Sequence, residues 1–278
     1  LSNTDKGYGY TFNITVEAEP IENLNTMLAY THTEMKEVSG LPGSNANSAW
    51  SGILSVDGPN TVGIQRSQYV VPHKVIGSAS YRLPYANNHM ATTFSLFYSG
   101  YSPYGNSFTY SNDMNGDGLS GDLIYIPENR GDIQFVSQED EDAFFAFMEQ
   151  DNYLSKNKGT YAEACAARAP WVNKFDLRVM QDFSIQAGGR KHTLQASVDV
   201  LNFGNMLNSE WGVNQNMAVS NYGGILRYEG RDVNNVPKFS MVKVSNSEGD
   251  SVYPTTTYSN YTNLSQVWQV QVGLRYLF

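Results

Sequence analysis

One stretch of the chain has the spacing of a metal site. Asp113, Asn115 and Asp117 fall at alternate positions, and Gly118 follows where a tight oxygen-lined loop needs a sharp turn. Calcium takes side-chain and carbonyl oxygens in this order. Asp122 and the Leu119 carbonyl are the candidates for completing the shell, because the twelfth position of a helix-loop-helix calcium loop falls here on Ile124, which offers no carboxylate. The segment is therefore a candidate calcium loop of another kind, with a plain Asx-rich turn as the alternative. Tyr101, Tyr104, Phe108 and Tyr110 lie just before it. They are candidates either for stacking on a sugar or peptide ligand or for an aromatic belt at a membrane surface. Catalytic patterns are missing: the sequence has no nucleophile-elbow serine, no phosphate-binding glycine loop and no zinc-binding histidine pair. The four histidines, at 32, 73, 89 and 192, stand apart near strand ends, so the chain reads as a protein other than an enzyme.

The elements that must carry these residues are strands. At the end of the chain Trp268, Val270, Val272, Leu274, Tyr276 and Phe278 take every second position, with Gln269, Gln271, Gly273 and Arg275 between them. A period of two marks a strand with one apolar and one polar face. The same alternation predicts strands near 8–19, 24–32, 73–83, 90–100, 174–185, 192–202 and 266–278. Turns of roughly four to six residues alternate with connections at about 33–72, 101–173 and 203–265. This asymmetry of short and long connections is the habit of outer-membrane barrels, whereas soluble sandwiches spread their loop lengths more evenly. Within the long connections, Ser137 before Gln138-Glu139-Asp140 predicts a helix start. Thr160 with Glu163 predicts a second helix, ending before Pro170 and holding Cys165.

Composition narrows the classes. No apolar run exceeds the six residues of Ala143 to Met148, so a membrane-spanning helix is excluded. A net charge of −9 argues against a nucleic-acid partner. Between residues 101 and 171 twelve Asp and Glu face four Lys and Arg, which places most of the negative charge in one connection. A lone cysteine cannot form an internal bridge.

Three segments, with the terminal Phe278, resemble one family. They are Tyr110 to Pro127; Arg168-Ala169-Pro170-Trp171 with Phe175-Asp176-Leu177-Arg178; and Asp199-Val200-Leu201-Asn202-Phe203-Gly204-Asn205 with Trp211-Gly212. The chain resembles the TonB-dependent outer-membrane receptors of Bacteroidota, in particular the Oar-like members with a carboxypeptidase-regulatory-like domain. The resemblance implies an all-β fold: about the last seven strands of a 22-stranded transmembrane antiparallel up-and-down β-barrel, with long extracellular loops containing short helices. It implies part of an active importer in the bacterial outer membrane, whose plug and TonB box lie outside this sequence. Implied partners are the N-terminal remainder of the same receptor, outer-membrane lipid and lipopolysaccharide, the barrel-assembly machinery reading Trp268 to Phe278, TonB indirectly through the plug, and a surface lipoprotein. Oligosaccharides, peptides and metal chelates all remain open as cargo.

Two alternatives stand beside this reading: a self-contained passive porin or adhesin barrel, and a secreted β-rich binding module. Seven strands running alternately down and up cannot close with both ends in the periplasm, so the expectation is that further strands cover the first and last edges.

Overall fold

The computed structural model describes residues 4–219, 223–261 and 263–278. Where the sequence alternates, the backbone is extended, and each short connection is a tight turn built from residues that tolerate positive φ. Strands β1 (Gly7–Ile21) and β2 (Leu24–Glu37) meet at Asn23, with φ 67°. Strands β3 (His73–Tyr85) and β4 (Met90–Tyr101) are joined through Ala86, Asn87 and Asn88, all at positive φ. Strands β5 (Val172–Ala187) and β6 (Arg190–Leu201) turn on Gly188-Gly189 alone. Two successive positive-φ residues match the twist of the flanking strands, and glycine adopts them without strain. The last strand, β7 (Gln269–Leu277), begins later than the alternation suggests, because Asn263 to Gln266 form a hydrogen-bonded turn.

The seven strands form one antiparallel sheet in chain order, β1-β2-β3-β4-β5-β6-β7, to which a two-residue strand, Gln65–Arg66, adds at the end of β2. Every long strand has at least nine residues, the number a tilted strand needs to cross a bilayer. Among the described residues the sheet is open rather than closed: β1 and β7 each pair on one side only.

The long connections gather at one end of the sheet and fold into a cap with its own core. Helix α1 (Ala46–Ser51) lies in the first connection; helix α2 (Gln138–Gln150) starts at the Ser137 cap, as the sequence predicts; helix α3 (Phe203–Leu207) follows β6. A small mixed sheet ties the second connection to the third. Gly224–Arg231 runs parallel to Thr109–Tyr110 and antiparallel to Pro237–Met241, which in turn runs parallel to Gln134–Phe135. Phe108, Ile124, Ile126, Phe144, Phe147, Met148, Ile225 and Leu226 fill the space between α2 and this sheet. The core of the molecule therefore sits in its loops.

One expectation fails here. Thr160 and Tyr161 do not open a helix; they pair with Ile126 and Tyr125 as a short antiparallel bridge, and Cys165 sits in a turn at φ 56° with its thiol buried. The capping pattern is overridden because Ala162, Ala164 and Ala167 are drawn separately into the cap core, which an extended segment allows and a helix would not. The connection at 203–265 supplies two strands of the cap sheet.

Candidate functional site

Residues paired directly across antiparallel strands share a face, so the register shows what each side of the large sheet presents. Val16 opposes Leu28, Leu28 opposes Gly77, Gly77 opposes Tyr98 and Tyr98 opposes Phe175. Further along, Val179 opposes Val198, which opposes Val272. One apolar face thus runs unbroken over all seven strands, and it is bare. Phe12 is 57% exposed, Val272 76% and Phe278 80%. All six residues of the terminal stripe from Trp268 to Phe278 are exposed.

The other face is polar and holds the sheet's buried charges. Asp182 and Asp199 are less than a tenth exposed. Asp182 accepts from Arg82 at 2.7 Å and from Gln195 at 2.8 Å, and Asp199 pairs with Arg178. Hydroxyls bridge strands at Ser80 with Ser95 and at Ser184 with Thr193. The sheet is inverted relative to that of a soluble protein: its large apolar side chains face outward while Asp182 and Asp199 are covered.

Polar groups mark both margins of the apolar face. At the cap end His32 stacks on His73, with ring centroids 4.8 Å apart, and Tyr30 hydrogen-bonds His73. At the turn end Gln181 accepts from Tyr85 and Thr92, and His192 bonds Tyr276. Trp171 and Trp211 flank a cleft of about 390 Å³ at the cap margin. Amphipathic rings thus sit at two heights, with an apolar band between them.

The structure divides the four aromatic ligand candidates. Tyr104 is exposed. Tyr101 donates to Asn214 and braces the base of the cap. Phe108 and Tyr110 are not on the loop surface at all: Phe108 packs against Phe147 and Tyr153, Tyr110 stacks on Phe239, and burial pushes the Tyr110 phenol up to about 12. Their apolar area goes into the cap core, which takes them out of any ligand-contacting role.

The acidic loop closes on itself. Asp113 accepts from the N–H groups of Gly116 and Gly118, Asp117 from that of Leu119, and Asp122 from those of Met114 and Asn115. Positive φ at Gly116 and Gly118 turns those donors inward. Burial, aided by the neighbouring Asp117 and Asp113 charges, raises the Asp122 pKa above the usual carboxylate value, against the opposing pull of the two N–H donors. Among the described residues no three acidic, histidine or cysteine side chains converge on one point, so an ion entering here must displace some of these hydrogen bonds.

The cap also contains a polar cavity of about 570 Å³ between the end of α2, the 166–170 segment and residues 256–258. Arg168, Lys156 and Tyr258 lie in its wall. Sequence pattern gave no signal for Lys156 or Tyr258, which belong to stretches without periodicity, and Arg168 was visible only inside a family-like motif. Comparison of the chain with protein-family models, with curated proteins and with solved structures finds no match. The class is defined by the fold alone: a mostly antiparallel β protein in which one large sheet bears a folded cap.

Proposed function

We propose that this chain forms barrel wall and outer cap in a transport protein of the bacterial outer membrane, of the TonB-dependent receptor type. The observation supporting this is the inverted sheet, with a continuous exposed apolar face and the Asp182 and Asp199 carboxylates covered on the opposite side. Water does not reward such a face, whereas lipid does, and a polar inner face suits a barrel lumen. The open edges of β1 and β7 are to be covered by further strands of the same receptor, because unpaired backbone groups in lipid cost several kcal/mol each. The cap then lies outside the cell, where it meets cargo, and its 113–122 loop is assigned to calcium. Expression with an export signal, followed by fractionation, tests the reading. The chain should remain in the outer-membrane fraction after urea and carbonate washes and need detergent for release. Recovery as a monodisperse soluble protein without detergent would replace this reading with a secreted binding module.

A further inference from the structure

From the cap cavity we infer a binding site for a ligand carrying a single carboxylate, of about disaccharide or dipeptide size, with Arg168 as its anchor. At about 570 Å³ the cavity falls within the range of small-molecule sites, roughly 300–1,000 Å³. The inference goes beyond the membrane reading and does not depend on it, since the cavity is built wholly from cap residues.

Arg168 is the unusual group. Its side chain is half-buried, and only Nη1 is engaged, donating to the carbonyls of Pro103 at 3.2 Å and Val70 at 3.5 Å. Among the described residues Nε and Nη2 donate to nothing and no carboxylate pairs with the guanidinium, although arginines elsewhere in the molecule, including Arg66, Arg82, Arg130 and Arg178, do have acidic partners. Burial, then the nearby Arg66 charge, lowers the Arg168 pKa, which is the mark of a cation short of negative charge. A desolvated cation without a counter-ion is costly, and a planar guanidinium edge with free donors matches a carboxylate bidentately.

Two further groups point the same way. The Tyr258 hydroxyl oxygen is buried with no hydrogen-bond partner among the described residues; Asn106 stands near enough to affect its acidity but makes no bond of normal geometry. The residue lines the cavity, and its hydroxyl is an unsatisfied donor buried beside it. Lys156, exposed at the rim, adds a second positive charge. The Asp151 carboxylate also lies in the wall, satisfied by the N–H groups of Tyr153 and Leu154 and by the Thr257 hydroxyl. Its fixed negative charge disfavours a phosphate dianion and leaves room for one carboxylate.

Saturation-transfer NMR and calorimetry on the full chain in detergent micelles, with two matched pairs of probes, test the inference and distinguish sugar-acid from peptide sources. The pairs are lactobionate with lactose, and N-acetyl-Ala-Ala with its C-terminal amide. At least one acid should bind about tenfold more tightly than its neutral counterpart, and the pair that responds identifies the source. Arg168→Gln should remove that preference, Lys156→Gln should weaken it, and Tyr258→Phe, which deletes an oxygen that bonds nothing in the fold, should weaken binding with no change in thermal midpoint. Absence of binding by both acids, equal binding of acid and neutral forms, or full binding by Tyr258→Phe and Lys156→Gln together would overturn it. None of these outcomes depends on where the chain fractionates in the cell.

Discussion

Val272→Arg is the substitution on which the membrane reading can be judged most sharply. Val272 is 76% exposed on β7 and faces the same side as Val198. It lies six residues before Phe278; at about 3.3 Å per residue and a tilt near 45° that is roughly 14 Å of height, close to the middle of an apolar band about 25 Å tall. A charge at that depth should cost about 2–4 kcal/mol, a shift of about thirtyfold to several hundredfold in the folding equilibrium. If the same face met water, replacing an exposed valine would change stability by no more than about 0.5 kcal/mol. Gln271→Arg is the control: Gln271 is its chain neighbour on the polar face, opposite Asp199, and the added charge should be nearly neutral there. Reversible guanidinium unfolding from lipid vesicles, followed by tryptophan fluorescence, measures both. Equal costs for the two variants would refute the assignment of that face to lipid.

Deleting Phe278 should lower the amount of chain reaching the outer membrane several-fold while leaving the melting of already assembled protein nearly unchanged; full export of the truncated chain would remove the assembly-signal role. Phe144 is fully buried and packs on Phe135 and Phe145, so Phe144→Ala should cost about 3–5 kcal/mol and speed hydrogen exchange across the cap while sparing the sheet. Asp122 has a raised pKa in the folded loop, so its contribution to stability is full below the ordinary carboxylate value of 3.8 and is lost as pH rises through the folded value. Cap stability should fall across that rise, and millimolar calcium, which binds the ionised carboxylates, should oppose the fall. Calcium should also release heat in calorimetry that Asp117→Ala removes; without that heat the loop is a plain Asx turn.

The period of two located all seven long strands, because a strand with unlike faces must alternate whatever it packs against. The Asn and Gly turns were legible for a similarly local reason, since few residues adopt positive φ. The Ser137 cap was equally local. Sequence could not show that the separate apolar stripes align into one bare face, because alignment is a property of register, and register is set between strands far apart in the chain. Nor could it show that Phe108 and Tyr110 are core residues or that Thr160 pairs with Ile126. Those outcomes depend on connections of forty to seventy residues folding on one another, with parallel contacts such as Lys238 to Gln134 that no local pattern encodes. The acidic loop lies between these cases. Its turn chemistry was written in Asp113, Asn115, Asp117 and Gly118, but that its oxygens are already held by backbone N–H groups was decided by the path of the chain. Arg168 is the clearest example of what tertiary structure alone decides. Its sequence neighbours mark it only as part of a family-like motif, and only the fold places it beside a cavity with no counter-ion among the described residues.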